Sequence, residues 1–240
     1  MESSRFPGKP LELIHGIPMI GHCYFRSIMS QCNDVVISSP NLEILDWCNQ
    51  NNIPAIKTSP DHERATDRAE ETLTILESQG KSYSHVILIQ GDEPQVHPDD
   101  IDLLIDTFKL RQSEVINLIY EIKKSEADNK DIVKVVLDKD LKVLTFSRAR
   151  IPHNANKFYR QLGMIAFSSN ALRLYKELEP TALEIIESID MMRFLENDID
   201  IQALVANYSI VGVDRPEDLE IAQALMDQDD LLSKYNNISE

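Results

Sequence analysis

Hydrophobic and polar positions fall into two textures along the chain. Through the first half, short β-rich apolar runs alternate with helical patterns. Asp34–Ser38 (DVVIS) predicts a strand, Asn41 a cap for a helix through Trp47, Ala55–Lys57 a short strand and Thr66–Glu77 a helix. His85–Gln90 (HVILIQ) is the strongest strand signal, a continuous apolar run of the kind buried on both faces of a parallel sheet. Pro98–Leu110 predicts a helix with Asp99 and Asp100 in its favourable first turn. Strands joined by helical crossovers mean βαβ units, so the expected class is α/β, three-layer, with a mostly parallel sheet.

From about Val115 the texture changes. Asn117–Glu121, Ile132–Leu137, Val143–Phe146 and Leu162–Phe167 predict strands joined by short polar turns, a small antiparallel insertion or extension of the sheet. Thr181-Ala182-Leu183-Glu184 fits a capping box opening a helix to about Glu196. A strand follows near Ile201–Val205, and Pro216 opens a closing helix. No repeat or low-complexity linker divides residues 1–240, which are read as a single domain.

Composition narrows the function classes. Asp and Glu number 40 against 24 Lys and Arg, a formal net charge of −16, and that field repels a polyanion such as nucleic acid. No apolar run approaches the length of a membrane helix and no signal peptide is visible, so a cytoplasmic protein without a membrane partner is expected. Cys23, Cys32 and Cys48 lack metal-knuckle spacing and read as core, which suits a reducing compartment. The six histidines show no metal-ligand pairing. Seven glycines supply neither a dinucleotide fingerprint nor a P-loop.

Ligands of open parallel sheets sit at the carboxyl ends of strands. Gly91-Asp92-Glu93-Pro94 follows HVILIQ there and reads either as a plain turn or as a carboxylate that holds Mg²⁺ with substrate phosphates. Asp214, after a strand-like VGV, reads either as the cap of the last helix or as a second metal carboxylate. Ser3-Ser4-Arg5-Phe6-Pro7-Gly8-Lys9-Pro10-Leu11 is a locally basic stretch, either a frayed terminus or a triphosphate cradle with Lys9 offsetting charge on departing pyrophosphate.

These segments resemble the CMP-Kdo synthetases, the 3-deoxy-manno-octulosonate cytidylyltransferases, nearly end to end. SSRFPGKPL at 3–11, GIPMI at 16–20, SPDHERATDRAEE at 59–71, QGDEP at 90–94, KVVLD at 134–138, FSRARIP at 146–152 and GVDRPEDLE at 212–220 occur in family order. The resemblance implies a nucleotidyltransferase sheet with a dimerisation lobe, a homodimer with 181–205 as its interface, and a cytoplasmic supply role for surface polysaccharide such as lipopolysaccharide. It implies a Mg²⁺-dependent reaction of CTP with a 3-deoxy-2-ulosonic acid, giving CMP-sugar and pyrophosphate. Asp92 and Asp214 would hold Mg²⁺ and act with Lys9 as catalytic groups; Ser3, Arg5, Lys9, Ser59, Thr66, Asp67 and Arg68 would bind the nucleotide; Gln90, Arg148, Gln161, Glu187 and Asp190 would bind the sugar.

Several positions depart from the family. Gln161 stands where it usually has histidine, Ala65 replaces a glycine, and MMRFLENDIDI after Asp190 diverges. The family's first strand and an Ala-Arg pair precede the serine-rich loop, at which this chain begins with Met1, so the resemblance implies a start further upstream or a non-catalytic truncated homologue. Alternatives in acceptor are an amino-Kdo, an acylneuraminate or legionaminate-like acid, or a phosphonate; an alternative in chemistry is a nucleotide-sugar glycosyltransferase.

Overall fold

The computed structural model describes residues 6, 8–110 and 113–235. A 3-10 turn at Lys9–Leu11 leads into a hairpin of β1 (Leu13–Ile14) and β2 (Ile17–Pro18), then α1 (Met19–Ser27). Next come β3 (Ile37–Ser39), α2 (Leu42–Gln50), β4 (Ala55–Lys57), α3 (Ala65–Ser78), β5 (His85–Ile89) and α4 (Pro98–Leu110). β6 (Val115–Ile122), β7 (Lys134–Leu137), β8 (Val143–Ser147) and β9 (Phe158–Ser168) follow, then α5 (Ser169–Glu177), α6 (Ala182–Glu187), α7 (Met192–Glu196), β10 (Ile201–Val205), α8 (Pro216–Met226) and α9 (Leu232–Tyr235).

The fold is mixed α/β. β3 and β4 form a parallel pair, and a six-stranded sheet runs β10-β6-β9-β7-β8 with β5 on β9. β10 and β6 are parallel, whereas β6–β9, β7–β9 and β7–β8 are antiparallel. Expected strands and helices are nearly all present, with three instructive differences. The DVVIS strand starts later, at Ile37. The strand expected to be buried on both faces is only half-buried from Val86 to Ile89, because β5 has a hydrogen-bonded neighbour on one side alone among the described residues. The helix expected over 181–196 breaks into α6 and α7, with Ser188 left-handed at φ 54°.

Two compact units divide the chain. The first comprises residues up to Asp61, Ile89–Ile105 and those from Ser209 onward; the second comprises His62–Leu88 and Asp106–Tyr208. In the second, Val115 and Ile119 of β6, Phe167 of β9, Tyr175 of α5 and Phe194 of α7 share one apolar core. In the first, Phe25, Ile37, Ile44, Cys48 and Tyr235 form one cluster, and Ile14, Met19, Val213, Ala222 and Met226 another. Cys23 and Cys48 are buried as expected, but Cys32 is only half-buried.

Helix α1, which patterning did not anticipate, carries a buried polar relay. His22 Nε2 lies 2.8 Å from Ile14 O, which only accepts, so Nε2 bears the proton. Nδ1 then accepts from the Tyr235 hydroxyl at 2.8 Å, and that oxygen accepts from Arg26 Nε at 3.0 Å. Arg26 also reaches Asp229 at 2.6 Å. Burial, opposed by the bond to Ile14, lowers the His22 pKa to about 4. The unfolded chain therefore takes up this proton first: stability is intact above about pH 6.5 and is lost as pH falls towards 4. Denaturant titrations at pH 7 and 4.5 should differ by about 2–3 kcal/mol from this group, a difference that His22→Gln removes. An unaltered pH dependence in that variant overturns the assignment.

Candidate active site

In the first unit, two carboxylates converge on one ammonium. Gly8, at φ 78°, takes a left-handed conformation that glycine adopts without a Cβ penalty, and it starts the 3-10 turn that carries Lys9 inward. Lys9 is 9% exposed, which excludes a frayed terminus at this residue. Its Nζ donates to Asp92 Oδ2 at 2.8 Å and to Asp214 Oδ1 at 3.3 Å. Burial pulls the Lys9 pKa down, but attraction and hydrogen bonds from Asp92, then Asp214, outweigh it and hold the pKa above its ordinary value. Lys9 is therefore a fixed positive charge at neutral pH.

The backbone explains why both carboxylates point there. Asp92 follows β5, and the Val213 N–H donates to Asp92 O at 2.9 Å, tying the 213–214 segment to the Asp92 loop. Beneath the loop, the Cys23 thiol donates to Glu93 O at 3.5 Å, and a Cβ at Gly91 would stand 2.6 Å from Ile20 Cδ1. Glycine thus lets the strand end settle against α1. Asp214 does not cap α8. Asp218, one turn inside, accepts from the Asp214 N–H at 3.0 Å and the Arg215 N–H at 2.9 Å, leaving the Asp214 carboxylate for Lys9. Among the described residues no three His, Cys, Asp or Glu side chains cluster to hold a metal. Two hard carboxylate oxygens that already share one cation are a donor set suited to magnesium, which binds through one or two carboxylates and completes its shell with phosphate and water.

The second unit holds another polar cluster, at the start of α3. Asp190, in the turn between α6 and α7, accepts from the Thr66 N–H at 3.3 Å and its hydroxyl at 2.9 Å, so it caps α3 from a distant segment. Burial raises the Asp190 pKa against these bonds. Asp67 is likewise raised by burial, with Arg193 Nη1 3.6 Å away opposing it. Arg193 grips Glu184 in a bidentate pair, 2.6 and 2.7 Å, and covers the Tyr175 ring 3.9 Å from its centroid. The N-terminus of α6 is satisfied by two carboxylates: Glu196 accepts from the Leu183 N–H at 3.0 Å, and Glu184 accepts from the Thr181 N–H at 3.2 Å.

The remaining expected residues have varied surroundings. Glu187 accepts from the Ser147 hydroxyl at 2.7 Å and the Arg148 N–H at 2.9 Å, and the backbone bond, ahead of a smaller opposing effect of burial, lowers its pKa. Arg148 Nε donates to Glu187 O at 2.9 Å, and its Nη atoms reach the carbonyls of Lys130, Asp131 and Ser188. Gln161 donates to Asn117 at 2.7 Å. Ser59 bonds Asp61 in a local turn, Arg68 Nη2 reaches His62 O at 3.4 Å, and Gln90 O receives the Cys23 thiol at 3.8 Å. Ser3 and Arg5 lie outside the described residues.

A family model described as cytidylyltransferase matches residues 1–201. The chain belongs to the cytidylyltransferase family. It is a nucleotidyltransferase by that membership. A 3-deoxy-manno-octulosonate cytidylyltransferase from Thermodesulfovibrio yellowstonii is 36% identical over 236 residues, 92% of each chain. One of the same name from Syntrophobacter fumaroxidans is 36% identical, covering 95% of this chain and 94% of that protein. A solved CMP:2-keto-3-deoxy-manno-octonic acid synthetase complexed with CTP superposes with a TM-score of 0.85 at 31% identity, covering 94% of both chains. A putative glucose-1-phosphate thymidylyltransferase from Bacillus anthracis, 15% identical with a TM-score of 0.67, shares the fold.

Two residues of this family member escape sequence reasoning. Arg193 lies in the stretch that departs from the family's pattern, and nothing in its periodicity says that its charge is buried. Asn117 sits inside a strand-like apolar run, where its type alone marks it: a polar side chain at a core position needs partners.

Proposed function

We propose that the protein transfers CMP from CTP to 3-deoxy-manno-octulosonate (Kdo). The anomeric hydroxyl oxygen bonds to the α-phosphorus, the bond to the bridging oxygen breaks, pyrophosphate leaves with that electron pair, and the hydroxyl proton is released. The observation that carries this reading is the buried Lys9 between Asp92 and Asp214, in a chain of the cytidylyltransferase family.

Lys9 keeps its proton and neutralises charge on the departing pyrophosphate, with Ser3 and Arg5 contributing to the triphosphate site. Asp92 and Asp214 would hold Mg²⁺, which when bound supplies positive charge to phosphate oxygens. Ser59, Thr66, Asp67 and Arg68 bind the nucleotide, and Gln90, Arg148, Gln161, Glu187 and Asp190 the sugar acid. No side chain forms a covalent intermediate; the work is positioning and charge neutralisation. The proposed assembly is a homodimer, for which the exposed Leu183, Ile185 and Ile186 of α6 offer apolar surface, and a solution mass of twice 27.4 kDa checks it. No helix among the described residues is long and apolar enough to cross a membrane, and a cytoplasmic supply of CMP-sugar is part of the proposal.

Pyrophosphate release should require CTP, Mg²⁺ and Kdo together, and omitting any one should stop it. Folded protein silent with all three overturns the reading; release with amino-Kdo or an acylneuraminate in place of Kdo would reassign the acceptor and keep the reaction.

A further inference from the structure

A buried amide fixes the direction of the Gln161 side chain. Asn117 lies fully buried in β6, at the irregularity of its register with β9. Its Nδ2 lies 3.0 Å from Leu118 O, 3.2 Å from Leu162 O and 3.5 Å from Met164 O. Carbonyl oxygens only accept, so the amide nitrogen must face them, and Asn117 Oδ1 is turned towards Gln161. An oxygen there demands a donor, which makes the near atom of Gln161 its Nε2, at 2.7 Å. Turning Gln161 over would set two acceptors against each other; turning Asn117 over would set an oxygen against three carbonyls. The carboxamide is planar, so Gln161 Oε1 is held on the side away from Asn117, on a half-buried residue.

We infer that Gln161 Oε1 accepts a hydrogen bond from one hydroxyl or amino group of the sugar acid, and that Asn117 is the positioning residue that fixes it. The inference rests on the proposed function and adds to it a polarity: a neutral acceptor at the position where the family usually has an ionisable ring. A sugar with hydrogen in place of that hydroxyl leaves the oxygen unpaired, whereas one with an amino group still satisfies it.

The test is steady-state kinetics of pyrophosphate release with Kdo and its single-deoxy analogues. Gln161→Met keeps the length and removes the acceptor: KM for Kdo should rise about tenfold with KM for CTP unchanged. Asn117→Leu should raise KM for Kdo several-fold, and the double variant should be no worse than Gln161→Met alone, the non-additivity expected of one interaction. One deoxy analogue should show the same KM on wild type and Gln161→Met. If Kdo supports wild-type turnover but Gln161→Met leaves its KM unchanged, the inference falls and the proposed function stands. Multiplying losses in the double variant overturn the positioning role of Asn117. A folded wild type silent with Kdo overturns both readings. Should Asn117→Leu fail to fold, Gln161→Met with the deoxy series decides alone.

Discussion

Asp92→Asn should lower pyrophosphate release at least about a hundredfold while the thermal midpoint moves by only a few degrees. The asymmetry follows from the geometry. Asparagine keeps the size of the side chain and its place on the loop that Val213 and Cys23 hold from either side, but it removes one of two negative charges facing Lys9. Stability suffers little, since Asp214 remains as a partner and such part-exposed pairs contribute about 1 kcal/mol. Turnover suffers greatly, since the proposed Mg²⁺ site has two protein carboxylates and loses one. The Mg²⁺ concentration for half-maximal rate should rise in the residual activity. An Asp92→Asn enzyme as active as wild type would sink the metal assignment.

Arg193→Met should reverse that pattern, with a large loss of stability wherever activity is read. Arg193 and Glu184 are both nearly withdrawn from solvent, with side chains 5% and 1% exposed. Burial alone would raise the Glu184 pKa, yet the Arg193 bonds and charge hold it below its ordinary value. Methionine fills the space but strips the buried Glu184 carboxylate of its bidentate partner, leaving it the longer Arg64 Nε contact at 3.5 Å and the bonds from the Tyr175 hydroxyl and the Thr181 N–H. The loss costs about 3 kcal/mol and of the order of 10 °C in midpoint. Replacing Glu184 by Gln in the same chain should recover more than half of the loss. A loss below about 1 kcal/mol in Arg193→Met, or no recovery in the double variant, would refute the account.

Much of this was legible in the linear pattern because it is local. Alternation and end signals place α4 and β4 to the residue, since proline, a polar cap and a short apolar run act within a few positions. The residues alone leave Asp92 open as a plain turn and Asp214 as a helix cap, and it is the family resemblance that sets the two together; the structure brings both to Lys9. What escaped is long-range. Whether Asp214 caps its helix depends on Asp218 reaching back first. The break at Ser188 is invisible to helical periodicity, yet it is what delivers Asp190 to the first turn of α3, a segment 124 positions away in sequence. The half-buried state of β5 reflects how many neighbours a strand has, which no run of valine and isoleucine records.

Helix α1 is a shared floor. One stripe of it, Ile20 and Cys23, props the loop of Asp92, and the neighbouring stripe, His22 and Arg26, is bolted to Tyr235 on the last helix. Cutting the chain just before Tyr235 would take away no atom that touches Asp92, but it would unfasten the beam on which that loop rests. A tail that looks disposable on a sequence map is therefore part of the foundation of the carboxylate pair, and a series of shortened proteins would register its loss as damage to chemistry carried out by residues it never meets.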